Sequence, residues 1–85
     1  MRVRLETGEE GTAIRLDGHV LVLVTPRAFA PGSPIRFSVV AENENRKLEG
    51  RTIGSKRMDA GPFEVRLRLV NLRRVDRELL LRELG

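Results

Sequence analysis

The sequence predicts an all-β domain, a small antiparallel barrel or sandwich, followed by one terminal helix. Turn-forming clusters recur every eight to twelve residues, which is the spacing of short antiparallel strands rather than of alternating helix and strand. Between the clusters apolar and polar residues alternate, most cleanly from Phe63 to Val70, and a period of two marks a half-buried strand. Only the closing RRVDRELLLREL changes to helical spacing.

The elements follow in order. Arg2 to Glu6 sets Val3 and Leu5 against Arg2, Arg4 and Glu6, and TGEEG (7–11) is a polar turn. A strand over Thr12 to Leu16 leads through the tight-turn dipeptide Asp17-Gly18 into Val20 to Val24. That run is continuously apolar and rich in β-branched residues, so both of its faces should be covered, as in a central strand. APGSP (30–34) breaks the chain, because prolines flanking Gly32-Ser33 cannot continue a ladder. Ile35 to Ala41 resumes as a strand with Ile35, Phe37 and Val39 on one face, and ENENRK (42–47) reads as a turn. The strand from Leu48 to Met58 contains Gly50 and Gly54, residues suited to a bulge or a sharp bend at a barrel corner. After AGP (60–62), Phe63, Val65, Leu67 and Leu69 point inward and Glu64, Arg66 and Arg68 outward.

The helix is expected from about Leu72 to Leu84, with Asn71 as N-cap. Arg74, Glu78 and Arg82 form a charged ladder four residues apart. Leu72, Val75, Leu79, Leu80 and Leu84 make a broad apolar side, into which Asp76 and Glu83 project, while Leu81 falls on the charged side. Three turns do not persist alone in water, so the helix should dock on the strands.

A chain of 85 residues makes one domain that buries only somewhat more than roughly 60% of the surface its unfolded form exposes. With no Trp or Tyr, and with Phe29, Phe37 and Phe63 as the only aromatics, the core must be aliphatic and leaves little apolar surplus for a large ligand pocket. The absence of cysteine excludes a disulfide framework and a thiolate metal site. No apolar run approaches the roughly 18 residues a membrane helix needs, and the N-terminus lacks a signal-peptide pattern. The chain reads as cytoplasmic and without a membrane role.

Catalytic patterns are missing. His19, the sole histidine, lies beside the Asp-Gly turn; Ser33, Ser38 and Ser55 have no evident base partner; Glu9-Glu10 and Glu42 with Glu44 fall on turns. No enzyme, metal or cofactor is expected. The net charge of +4 is uneven: five Arg and six acids from Met1 to Asn45 give −1, and eleven Lys plus Arg and six acids from Arg46 to Gly85 give +5. Such a basic half can attract a polyanion through phosphate contacts, with Arg46, Lys47, Arg51, Lys56, Arg57, Arg66 and Arg68 as candidate binding residues. No aromatic is interleaved for base stacking, so a solvated basic surface is the favoured reading and nucleic acid the lesser one.

Several segments together resemble the PilZ domain family. Its strand with a Gly-Arg-x-apolar start is matched by Gly50-Arg51-Thr52-Ile53, and its Gly-Pro-aromatic-x-Val hairpin by Gly61-Pro62-Phe63-Glu64-Val65. Val70-Asn71-Leu72 and Asp76-Arg77-Glu78-Leu79-Leu80 are similar to its strand end and terminal helix, and Pro31-Gly32-Ser33-Pro34-Ile35 to the entry of its middle strand. The pieces cover about two thirds of the chain in the family's order. The resemblance implies a single domain, 1–85, made of a six-stranded antiparallel β-barrel (1–70) and a C-terminal α-helix (71–85). It also raises cyclic di-GMP as a ligand, which the family grips with an R-x-x-x-R segment and a D/N-x-S-x-x-G motif. Here Arg15, Asp17 and Val20 stand where that second motif has its acid or amide, its Ser and its Gly, and Arg2 and Arg4 are wrongly spaced for the first. Arg66 and Leu69 also replace a frequent Gly and Phe. No binding residue carries over, so cyclic di-GMP is doubtful as a ligand. The expected function is that of a degenerate bacterial PilZ-like regulatory or adaptor module in signalling or motility, acting through a protein partner or self-association. The alternative is a polyanion binder, taking cyclic di-GMP at an unorthodox site or nucleic acid on the basic strands.

Overall fold

A computed structural model describes residues 1–84. It contains β1 (Arg2–Leu5), β2 (Glu10–Asp17), β3 (Val20–Thr25), β4 (Pro34–Ala41), β5 (Glu44–Arg57), β6 (Phe63–Val70) and α1 (Arg74–Leu84). The strands close into an antiparallel barrel in the order β1-β2-β3-β6-β5-β4. Closure leaves no open sheet edge running the length of the fold, and it decides for the barrel over the sandwich.

Alternation fills the interior. Val3, Leu5, Leu21, Leu23, Phe37, Val39, Val65 and Leu67 form one buried cluster with residues from every strand. Both faces of β3 are indeed covered: Leu21 and Leu23 point into the cluster, whereas Val22 is equally buried yet lies outside it. At one end of the barrel the Pro26–Ser33 segment folds over the opening. Phe29 packs on the core and its backbone N–H and C=O both bond the Ser55 hydroxyl, at 2.9 and 2.8 Å.

Bulges and a close approach shape β5. The β5–β6 register slips between Thr52 and Gly54, and β2 carries a matching irregularity between Ala13 and Arg15. Each slip adds one residue to its strand, Ile53 and Ile14, and moves every later side chain to the opposite face. Gly50 serves another purpose. A Cβ there would lie 2.7 Å from the Arg68 carbonyl oxygen and would collide with the Leu67 side chain. Because a backbone atom cannot swing aside as a side-chain tip can, Gly50→Ala should cost about 2–3 kcal/mol. A melting point roughly 10–20 °C lower checks this, and an unchanged one would contradict the contact.

Three sequence expectations are corrected. The turn after β4 is only Glu42-Asn43, because the residues from Glu44 to Lys47 pair with Ala41, Val40, Val39 and Ser38; pairing overrides their weak strand propensity. The helix starts at Arg74, so Asn71 is not its cap. Asn71 instead adopts φ 53° and sends its amide to Glu49, and a side-chain amide tolerates that left-handed turn. The helix's inner face is also rotated from the expected one. Leu79 and Leu80 are buried, but Val75 is exposed and Asp76 takes the inner place. Leu81 is exposed, as its position on the charged side requires. The expected helix limit of 85 includes Gly85, which lies outside the described residues.

Candidate functional site

The outer face of β2–β3–β6–β5 combines an apolar strip with unmatched positive charge. Cross-strand register puts Val20 beside Arg68, Val22 beside Arg66 and Val24 beside Glu64, so the outward side of β3 is all valine. Arg15 flanks Val22 from β2. Arginine stems in these positions can cover Val22 while their guanidinium groups stay in water. Ile14 and Ile53, pushed out at the two bulges, remain 41% and 37% exposed. Both bulges are therefore the reason that large apolar side chains appear on this side of the barrel.

The charges there are incompletely paired. Among the described residues, Arg51, Lys56, Arg66 and Arg68 take part in no ion pair. Arg51 and Arg68 are direct cross-strand partners, and like charges so placed destabilise a sheet. Lys56 lies opposite Glu64 without closing on it. Arg15 is neutralised by Asp17 at 3.1 Å.

The seven basic residues singled out in the sequence do not form one surface. Arg51, Lys56, Arg66 and Arg68 share the face just described. Lys47 also points outward but stands farther round the barrel, opposite Ser38 of β4. Arg46 is removed from the set: its side chain is 29% exposed and is engaged by Glu44 at 3.4 Å and Asp76 at 3.8 Å. It shares the inward parity of Leu48, so it turns toward the barrel's mouth. Arg57 pairs with Phe63, an inward-facing position, because the slip at Ile53 has exchanged the two sides of β5. It is exposed at the strand's end and does not extend the Lys56 side.

The mouth opposite Phe29 is plugged by α1. Leu79 and Leu80 enter the core cluster, with Leu72 and Leu84 packed at its margin. Beside them Asp76 brings a carboxylate whose side chain is only 3% exposed. Its Oδ2 accepts from Arg73 Nε at 3.3 Å. Its Oδ1 has no hydrogen bond, with Arg46 Nε 3.8 Å away. Here β6 has ended: its last residue Val70 pairs with Glu49, and Glu44–Leu48 of β5 have a strand partner only in β4. The gap opens a cleft of about 600 Å³ lined by Arg4, Ser38, Lys47, Asn71, Arg73 and Asp76, among others. The aliphatic core leaves little room for an interior pocket, and this cleft has a mixed lining in which Leu5, Phe37, Leu48 and Val70 stand beside the polar groups.

The remaining candidates have structural partners. His19 is exposed in the Gly18-His19 turn, and its carbonyl accepts from the Leu69 N–H at 2.9 Å. Ser33 donates to the Ala30 carbonyl at 2.6 Å. The bulge expected from the glycines of β5 is found between Thr52 and Gly54, but Ile14 and Ile53 were not legible as surface features, since alternation does not tell which residue a bulge turns outward. Asp76 was visible as a charge on the helix's apolar side, but its partner Arg46 was not. No family model matches the chain, and neither the curated proteins nor the solved structures include a match.

Proposed function

We propose that the chain is a PilZ-like regulatory or adaptor module of bacterial signalling or motility, acting by contact with an acidic protein surface and not by catalysis. The outer face of β2–β3–β6–β5 carries this reading. Exposed Ile14 and Ile53, with the half-buried Val20 and Val24 of β3, supply apolar contact, and Arg51, Arg66, Arg68 and Lys56 supply charge that the fold leaves unmatched. A partner with carboxylates at the rim would relieve the Arg51–Arg68 repulsion and gain both steering and specificity. Self-association through this face is disfavoured, because a two-fold contact sets a patch against its own copy and these arginines would repel.

Photo-crosslinking in the native cell tests the reading. A crosslinker at Ile14 or Ile53 should give one discrete adduct that is absent from a control at Glu78 and lost in the Arg66→Glu/Arg68→Glu variant. No adduct at either isoleucine would sink it, as would a charge-reversed variant that crosslinks normally. Light scattering should give a monomer.

The Arg51–Arg68 pair also favours a second reading, the polyanion binder, since phosphates would offset the same repulsion. If four cations each neutralise a phosphate, log K for duplex DNA falls against log salt with a slope of about −3.6. Calorimetry across salt concentrations with short DNA and with cyclic di-GMP separates the readings. The adaptor predicts no cyclic di-GMP heat and only weak DNA binding that added salt abolishes.

A further inference from the structure

One stretch of β5 keeps an unpaired edge within the otherwise closed wall. β6 pairs with β5 only as far as Val70 and Glu49, so Glu44–Leu48 have β4 on one side and no strand on the other. The ladder to β4 decides which backbone groups this edge offers. Ala41 and Glu44 pair across a turn of Glu42 and Asn43, and a pair so close to its turn forms only by exchanging both hydrogen bonds. Bonded and non-bonded pairs alternate from there. Val39 with Arg46 and Phe37 with Leu48 therefore bond across to each other, whereas Asn45 and Lys47 aim their N–H and C=O groups at the open side. No turn, loop or side-chain hydrogen bond reaches those groups among the described residues.

The cleft beside α1 runs along this edge. Lys47 and Leu48 line it from β5, and Val70, Asn71 and Arg73 line it from the chain that leaves β6. Asn71, at φ 53°, turns that chain off the ladder, which is why β6 does not continue beside Lys47. The spare charge at the edge is positive. Lys47 ends a row across three strands, since Arg4 of β1 is the direct partner of Ser38 in β4 and Ser38 is the direct partner of Lys47. Neither cation joins an ion pair among the described residues. Of the other cations lining the cleft, Arg36 is held between Glu6 and Glu49, and Arg73 is matched by Asp76. A lysine on an open edge discourages pairing with a second copy, which would bring the same cations. It favours an acid placed directly across from it.

We infer that the Glu44–Leu48 edge binds an extended acidic segment of a partner protein by strand addition, antiparallel to β5 and in line with β6. The segment's main chain bonds the N–H and C=O groups of Asn45 and Lys47. Directly opposite Lys47 its side chain shares the outward side, and that place takes Glu or Asp; the alternate side chains turn to the side of Arg46 and Leu48. Main-chain bonds supply affinity and the acid supplies selectivity. This edge is a different stretch of β5 from the one in the outer face proposed above, and the inference does not rest on that face.

Amide exchange and calorimetry on the full chain test this with a short capped peptide of alternating glutamate and valine. In the free protein the Asn45 and Lys47 amides should exchange fast and those of Arg46 and Leu48 slowly. Saturating peptide should protect Asn45 and Lys47. An acid opposite Lys47 stands in a hydrogen-bonded pair, so N-methylating the glutamates removes the donors aimed at β5 and should weaken binding about tenfold or more. N-methylating the valines, whose N–H groups point away, should cost far less. Lys47→Glu should weaken binding about tenfold and should accept the same peptide with lysine in place of glutamate. Lys47 is exposed and unpaired, so the melting point should hold, and the methylated peptides need no variant. No binding at millimolar peptide overturns the inference, as do equal losses from the two methylation patterns or a bound state that leaves Asn45 and Lys47 unprotected. Arg66→Glu/Arg68→Glu should leave the peptide bound as before; a loss there would place it on the outer face and overturn the inference.

Discussion

Leu80→Ala should lower the stability of this protein by about 3–4 kcal/mol, within the range for truncating a fully buried leucine. Leu80 is 0% exposed and belongs to the core cluster that α1 plugs. Truncation removes apolar burial and leaves a cavity between helix and barrel, which strands on the far side cannot collapse to fill. Small domains hold as little as about 5 kcal/mol in total, so most of the stability is at stake. Urea unfolding measures it, and Leu81→Ala is the internal control. Leu81 is the next residue but is 45% exposed, and its truncation should stay within about 0.5 kcal/mol of neutral. Equal costs at the two positions would mean that the helix does not dock by this face.

Arg46→Ala and Asp76→Leu should have opposite consequences although they break the same ion pair. Removing Arg46 leaves the Asp76 carboxylate at 3% side-chain exposure with Arg73 as its remaining partner. Stripping one member from a buried pair costs roughly 3–5 kcal/mol, because a charge stays behind without compensation. Arg73 remains close, so about 2–3 kcal/mol is expected. Asp76→Leu instead removes the charge at its source. Arg73 is exposed and Arg46 is partly so, and both can turn to water, while the new leucine extends the apolar face formed by Leu72, Leu79 and Leu80. That variant should lie within about 1 kcal/mol of the parent or above it. Chemical unfolding of both variants checks the asymmetry. A destabilisation by Asp76→Leu as large as that by Arg46→Ala would show that the carboxylate itself holds the helix in place.

Much of the architecture was legible because each strand carries its own address. The Phe63–Val70 strand matches its expected limits to the residue, and β3 was read correctly as covered on both faces from its unbroken apolar run. The segment before Leu48 was not legible. Glu44-Asn45-Arg46-Lys47 has the composition of a turn, and only the ladder to β4 makes it strand. The helix face was misjudged at Val75 and Asp76 for a related reason. Counting apolar residues places Val75 inside, but a buried carboxylate held by Arg46 from β5 turns the helix another way.

The candidate surfaces were less legible still. Seven basic residues looked like one set, yet a single slip at Ile53 put Lys56 on the side of Arg66 and Arg68 and sent Arg57 to the other. The row Arg4–Ser38–Lys47 joins three strands far apart in the chain, and nothing in any one of them announces the others. What the amino-acid order determined alone was the number of elements, their type and the inward set of most strands, because side-chain periodicity and turn chemistry act over a few residues. What tertiary structure decided was the barrel's closure, the register and bulges, the facing of α1 and which charges go unpaired. Those depend on which strand lies beside which, and contacts between distant segments are settled only when the whole sheet closes on one core.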